Sequence, residues 1–118
     1  FDKARRHFTM AIQLAPRLCP AYNNLGMLLL EQKKNKRSRK FLAKAVKMCP
    51  GYAEPNYHLG RLADLENDLS EARLRFEKCT KLAGDGPLGE RCAQRLTRLP
   101  PPSQSVTAPD EVKGIWAP

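Results

Sequence analysis

Four cysteines, two histidines and a dense run of lysine and arginine are the residues of this 118-residue chain that could do chemistry. The cysteines stand at 19, 49, 79 and 92 without a C-x-x-C pair, a spacing that argues against a zinc ribbon or a thioredoxin-like redox centre. His7 sits beside Arg5 and Arg6, and His58 beside Tyr57, neither with a nucleophile or carboxylate at a spacing that catalysis uses. The sequence has no H-E-x-x-H, no G-x-S-x-G and no Gly-rich phosphate loop. The expectation is a chain that is not an enzyme, with no catalytic residue, no metal and no cofactor.

What remains is electrostatics. Lys and Arg number 21 against 12 acids, a formal charge of +9, and the excess concentrates at Lys33, Lys34, Lys36, Arg37, Arg39 and Lys40. A basic run of this kind attracts phosphates and acidic partners. This one carries no interleaved aromatic for base stacking, so nucleic-acid binding is disfavoured and a solvated turn is the ordinary reading.

The elements that carry these residues follow from self-similarity at an offset of 34 residues. Ala4, Ser38 and Ala72 correspond, as do Phe8, Leu42 and Phe76, and Ala11, Ala45 and Cys79. Pro16 and Pro50 match, with Gly84 in the third place, and Leu25-Gly26 returns as Leu59-Gly60. Each period holds two segments with apolar residues at i, i+3, i+4 and i+7, split by a polar turn, which is a helical hairpin. Gly26 and Gly60 allow the two helices of a hairpin to approach, Ala11 and Ala45 admit the next repeat, and Phe8, Leu42 and Phe76 fill the seam.

Helices are predicted over residues 2–15, 20–32, 37–48, 53–66, 70–82 and 87–99. The organisation is a second helix of an incomplete repeat (1–18), two full repeats (19–52 and 53–86), a capping helix (87–99) and a proline-rich tail (100–118). The capping helix carries Leu88, Cys92, Leu96 and Leu99 on one face and covers an apolar surface that has no successor. The tail is expected to be extended or disordered, ending in an apolar cluster of Val112, Ile115 and Trp116. The chain opens inside a helical pattern, so at least one further helix is expected upstream, and Phe1, Phe8 and Ile12 would form a face for self-association. The apolar run from Gly26 to Leu30 stops at Glu31, far short of a membrane span.

Over residues 3–84 this pattern resembles the tetratricopeptide repeat (TPR) family. The matching residues are Leu25, Gly26, Ser38, Leu42, Ala45 and Pro50, then Leu59, Gly60, Ala72, Phe76 and Cys79. Tyr22 and Asn56 depart from the family's Trp, and Leu29 and Ala63 from its Tyr. The resemblance implies an all-α solenoid of helical hairpins that binds a partner protein in the groove lined by the first helix of each hairpin. By register, Asn23, Met27 and Leu30 from one helix and Tyr57, Arg61 and Asp64 from the next point into it, with Asn24, Glu31 and His58 at the margin. Such a mixture suits a peptide segment: Asn pairs with backbone, Tyr and Met give apolar contact, and Arg takes a carboxylate. Asn24 matches the carboxylate clamp of heat-shock co-chaperones, but Glu54 and His58 stand where that clamp has Lys and Arg.

The same register makes Cys19 and Cys49 neighbours, because they sit at adjoining ends of two antiparallel helices. It also sets Cys79 against Cys92 on the following helix. Disulfides at both places would close loops of about 30 and about 14 residues, adding roughly 3 kcal/mol each, and would belong to an oxidising compartment. The alternative is four buried thiols packing as small hydrophobes.

A narrower likeness lies in Ala21-Tyr22-Asn23-Asn24-Leu25-Gly26 and Pro50-Gly51-Tyr52-Ala53-Glu54-Pro55. These segments resemble the lipoproteins that assemble type IV pilus secretins. That likeness implies a secretin-like partner subunit, a place in the periplasm or at the outer membrane, and membrane contact only through a lipid anchor upstream. Two other readings stay open: a cytoplasmic or other structural TPR subunit of a large complex, and a nucleic-acid-associated scaffold using residues 33–40.

Overall fold

The computed structural model describes residues 2–14 and 18–101; Phe8 and residues 10–14 are described as backbone alone. Among the described residues six helices follow one another: α1 (Asp2–Leu14), α2 (Cys19–Glu31), α3 (Asn35–Met48), α4 (Glu54–Leu65), α5 (Leu69–Ala83) and α6 (Pro87–Arg98). No strand occurs among the described residues. Each helix packs on its neighbours in sequence, and α2 also touches α4, so the helices stack as consecutive antiparallel hairpins. The described chain is an all-α solenoid. The tail cluster of Val112, Ile115 and Trp116, and the side chains of Phe1, Phe8 and Ile12, lie outside what is described.

Local sequence explains where helices begin. Pro20, Pro55 and Pro87 occupy first-turn positions of α2, α4 and α6, where the missing N–H costs nothing. Asp68 caps α5, its carboxylate accepting from the Glu71 N–H at 3.2 Å. The turns within the two hairpins are copies of each other. Lys33 (φ 63°) and Asn67 (φ 61°) both adopt the left-handed conformation. The next N–H then reaches back, Lys34 to the Leu29 carbonyl and Asp68 to that of Ala63, each at 2.8 Å. Because this turn closes within three residues, α3 starts at Asn35, two residues before the expected 37.

The expected close approaches are present. A Cβ placed on Gly26 would lie 2.5 Å from Leu42 Cγ and 2.7 Å from its Cδ2. On Gly60 it would meet three Phe76 ring atoms at 2.6, 2.7 and 2.8 Å. Leu42, Ala45, Ala72 and Phe76 are fully buried at these seams. A buried Leu or Phe contributes about 1.5–3 kcal/mol, so these seams carry much of the stack's cohesion. Ser38 stands where the other repeats have Ala, and its buried hydroxyl is satisfied by donating to the Gly26 carbonyl at 2.7 Å.

Both predicted disulfides form. Cys19–Cys49 joins α2 to the end of α3 with Cα atoms 6.3 Å apart, and Cys79–Cys92 joins α5 to α6 at 6.1 Å. At the end of the stack Leu99 and Leu96 pack on the cluster of Ala63, Ala72 and Phe76, as a capping segment should. No described helix is long and apolar enough to cross a membrane.

Candidate functional site

The inner face is built by the first helix of each hairpin, α2 and α4, and by α6. Tyr57 is its centre. The ring leans on Phe76 with centroids 6.2 Å apart, which anchors it to the core. Two guanidinium groups flank it, Arg61 at 5.9 Å and Arg95 at 5.8 Å from the ring centroid. Arg61 also donates to Glu31 Oε1 at 3.0 Å, linking α4 to α2, and approaches His58 Nδ1 at 3.3 Å. The face is thus a band of arginine around one half-buried aromatic.

His58 lies beneath this band at 6% exposure. Burial first, and then the Arg61 guanidinium with a smaller push from Arg91, lower its pKa to about 4 against the opposing pull of Glu31. It is therefore neutral at physiological pH.

Towards the N-terminal ends of α4 and α6 the band opens into a cavity of about 510 Å³, lined by Tyr52, Glu54, Ala83, Pro87, Leu88 and Arg91 among others. The Tyr52 hydroxyl donates to Glu54 Oε2 at 2.7 Å. Burial and the Glu54 carboxylate hold that phenol well above its ordinary pKa, so it serves as a donor. Asn23 is close enough to Tyr52 to favour the ionised phenol, yet both of its amide atoms are buried without a hydrogen bond of proper geometry. Leu88, Arg91 and Arg95 follow one another along one face of α6 at i, i+3 and i+7. The mouth of the cavity and the arginine band form one continuous surface offering cations, the carboxylates of Glu31 and Glu54, and apolar floor.

Set against the sequence reading, Tyr57 and Arg61 stand on this face, and Met27, Asn24 and Asp64 are part-exposed. Asn23, Leu30 and His58 are not groove-lining contacts: they are buried at 0%, 4% and 6% exposure. Helical register gives the direction of a side chain, but the lean of the neighbouring helix decides whether solvent reaches it. Tyr52, Glu54, Leu88, Arg91 and Arg95 were not expected here. The signal was present for the last two, since Arg91 and Arg95 stand one 34-residue period after Tyr57 and Arg61. Residues 87–99 read as a cap, and the helix is also the third inner helix.

The basic run divides. Lys33 and Lys34 occupy the exposed α2–α3 turn, and Lys36, Arg37 and Lys40 are exposed on α3. Arg39 is engaged in an ion pair with Glu66 across the α3–α4 seam. Among the described residues no group of His, Cys, Asp and Glu is placed to hold a metal ion.

Comparison with known proteins agrees with this architecture. Residues 20–52 match the family model of the tetratricopeptide repeat. No curated protein matches the chain. Among solved structures, that of PcrH in complex with the chaperone binding region of PopD superposes with a TM-score of 0.75 at 18% identity, over 81% of this chain and 75% of that one. Residues 20–52 are a tetratricopeptide repeat, and the described chain has the fold of a tetratricopeptide-repeat protein.

Proposed function

We propose that the chain is a non-catalytic scaffold that holds a segment of another protein along the inner face of α2, α4 and α6. The observation that carries this is Tyr57 held between Arg61 and Arg95, continuous with the Tyr52–Arg91 cavity. A rigid aromatic with flanking guanidinium groups is the composition of an interface hot spot. The same fold in PcrH was solved with a region of PopD bound, which supports a protein segment as occupant.

Selection of random phage-displayed peptides on the oxidised protein tests this directly. Enriched peptides should bind in fluorescence anisotropy and lose roughly tenfold or more in affinity on Arg91→Glu or Arg95→Glu. A library that yields no enrichment, or binders indifferent to both changes, would refute the reading.

The two disulfides favour a finer version, in which the scaffold works outside the reducing cytosol. The Asn23-Asn24 segment and the Tyr52–Pro55 element, of which Tyr52 and Glu54 line the cavity, favour a role in assembling a type IV pilus secretin in the periplasm. Alkylation of thiols in intact cells followed by mass spectrometry tests the compartment: four unmodified, paired cysteines are expected. Purified protein should raise the yield of assembled secretin multimers, and an unchanged yield would exclude that partner.

A further inference from the structure

The opposite side of the stack carries a surface that peptide capture leaves unused. Helix α3 contains six cations and no acid. Its buried stripe is Ser38, Leu42 and Ala45. At 100° per residue, Lys36, Arg37, Lys40, Lys44 and Lys47 fall within an arc of roughly 100° centred opposite that stripe. All five are exposed, and none forms an ion pair among the described residues. The one cation of α3 outside the arc, Arg39, is the one that is neutralised, by Glu66. From Lys36 to Lys47 the ladder runs about 17 Å along a rigid helix.

Apolar surface lies immediately beside it. Between α3 and α5 a shallow groove of about 270 Å³ is lined by Val46, Pro50 and Leu82, with Lys78 and Lys81 at its edge. Leu82 and Leu74 on α5 are each 43% exposed. Exposed Leu74 and Leu82 on α5, with Lys78, Lys81 and the single exposed acid Glu77 between them, beside the all-cationic α3 ladder, match an interface with anionic headgroups above acyl chains. A nucleic-acid backbone would use the lysines and gain nothing from the leucines, and no exposed aromatic is available on α3 or α5 for base stacking.

We propose that the outer face of α3 and α5 is a peripheral membrane-binding surface for anionic phospholipid bilayers. The α3 ladder supplies the charge, and Leu74 and Leu82 supply the shallow apolar contact. The inner face is left free, so the protein can lie on a bilayer and hold a protein segment at once.

Co-sedimentation with large unilamellar vesicles tests this on the oxidised full chain. At low salt the protein should pellet with phosphatidylcholine vesicles containing phosphatidylglycerol and stay in the supernatant with phosphatidylcholine alone, and 0.5 M salt, which shortens the Debye length to about 4 Å, should release it. Replacing Lys36, Lys40, Lys44 and Lys47 with Gln should lower partitioning by about a hundredfold or more with the melting temperature unchanged. Leu74→Ser with Leu82→Ser should weaken it several-fold at unchanged charge. Equal binding to both vesicle types, no binding to either, or an unaffected quadruple variant overturns the proposal. Tighter binding to a fluorescent oligonucleotide than to the anionic vesicles, insensitive to the leucine changes, reassigns the face to nucleic acid.

Discussion

Reduction of the two disulfides should remove about half of the stability of this fold or more. The cross-links close loops with sequence separations of 30 and 13 residues. Loop-closure entropy in the unfolded chain then assigns about 3.5 kcal/mol to Cys19–Cys49 and about 3 kcal/mol to Cys79–Cys92. A domain of this size stands about 5–15 kcal/mol above its unfolded state, so the pair accounts for a large share. The sulfurs themselves are well packed, with Cys79 and Cys92 fully buried, so reduction leaves their apolar contacts to be made by thiols. Urea unfolding followed by circular dichroism, with and without a phosphine reductant, reads the effect. With a slope of about 1–3 kcal/mol per molar, the midpoint should fall by roughly 2 M or more. The double variants Cys19→Ala with Cys49→Ala, and Cys79→Ala with Cys92→Ala, should each show about half the shift. Midpoints that coincide within error would show that the cross-links do not constrain the unfolded chain and would sink the argument.

Gly60→Ala should destabilise by about 1–3 kcal/mol despite the better helix propensity of alanine, because the new methyl meets the Phe76 ring; thermal melting reads it, and a gain would disprove the close approach. Lys33→Gly should stabilise by about 1 kcal/mol in the same assay by relieving a left-handed backbone that Asn67 tolerates better in the second turn. His58 should make the protein acid-sensitive. Its native pKa of about 4 lies below the unfolded 6.5, so the unfolded state binds the proton first; the contribution is full above about pH 6.5 and falls as pH drops, by about 3 kcal/mol at pH 4. Urea midpoints of His58→Gln compared at pH 7 and pH 4.5 should show a shallower loss than the native protein, and parallel losses would remove His58 as the cause.

The hairpins were legible because the small residues of each seam recur at one fixed offset. Gly26 against Leu42 and Gly60 against Phe76 are visible as sequence before they are contacts, and the same register brought Cys19 to Cys49 and Cys79 to Cys92. The inner face was legible in direction and not in depth. Asn23 and Leu30, which the register assigns to that face, are covered. The third inner helix was missed as a site because Ala93-Gln94 stands where Leu-Gly marks the other two, so the strongest local marker of a first helix is absent. Tyr52 lies in a loop, where no periodicity speaks for it.

The placement of the cross-links also fixes how the stack yields. One staples α2 to α3 and the other α5 to α6, while the seam between α3 and α4 has no covalent tie. Two ion pairs reach α4 from the first pair of helices instead, Glu31 of α2 with Arg61 and Arg39 of α3 with Glu66 at the end of α4. Helix α4 thus lies between two stapled pairs with no covalent tie to either, held by packing and, towards α2 and α3, by these ion pairs. Salt that screens these pairs loosens the hold of α2 and α3 on α4, and the aperture that changes is the span between Met27 on α2 and Tyr57 on α4.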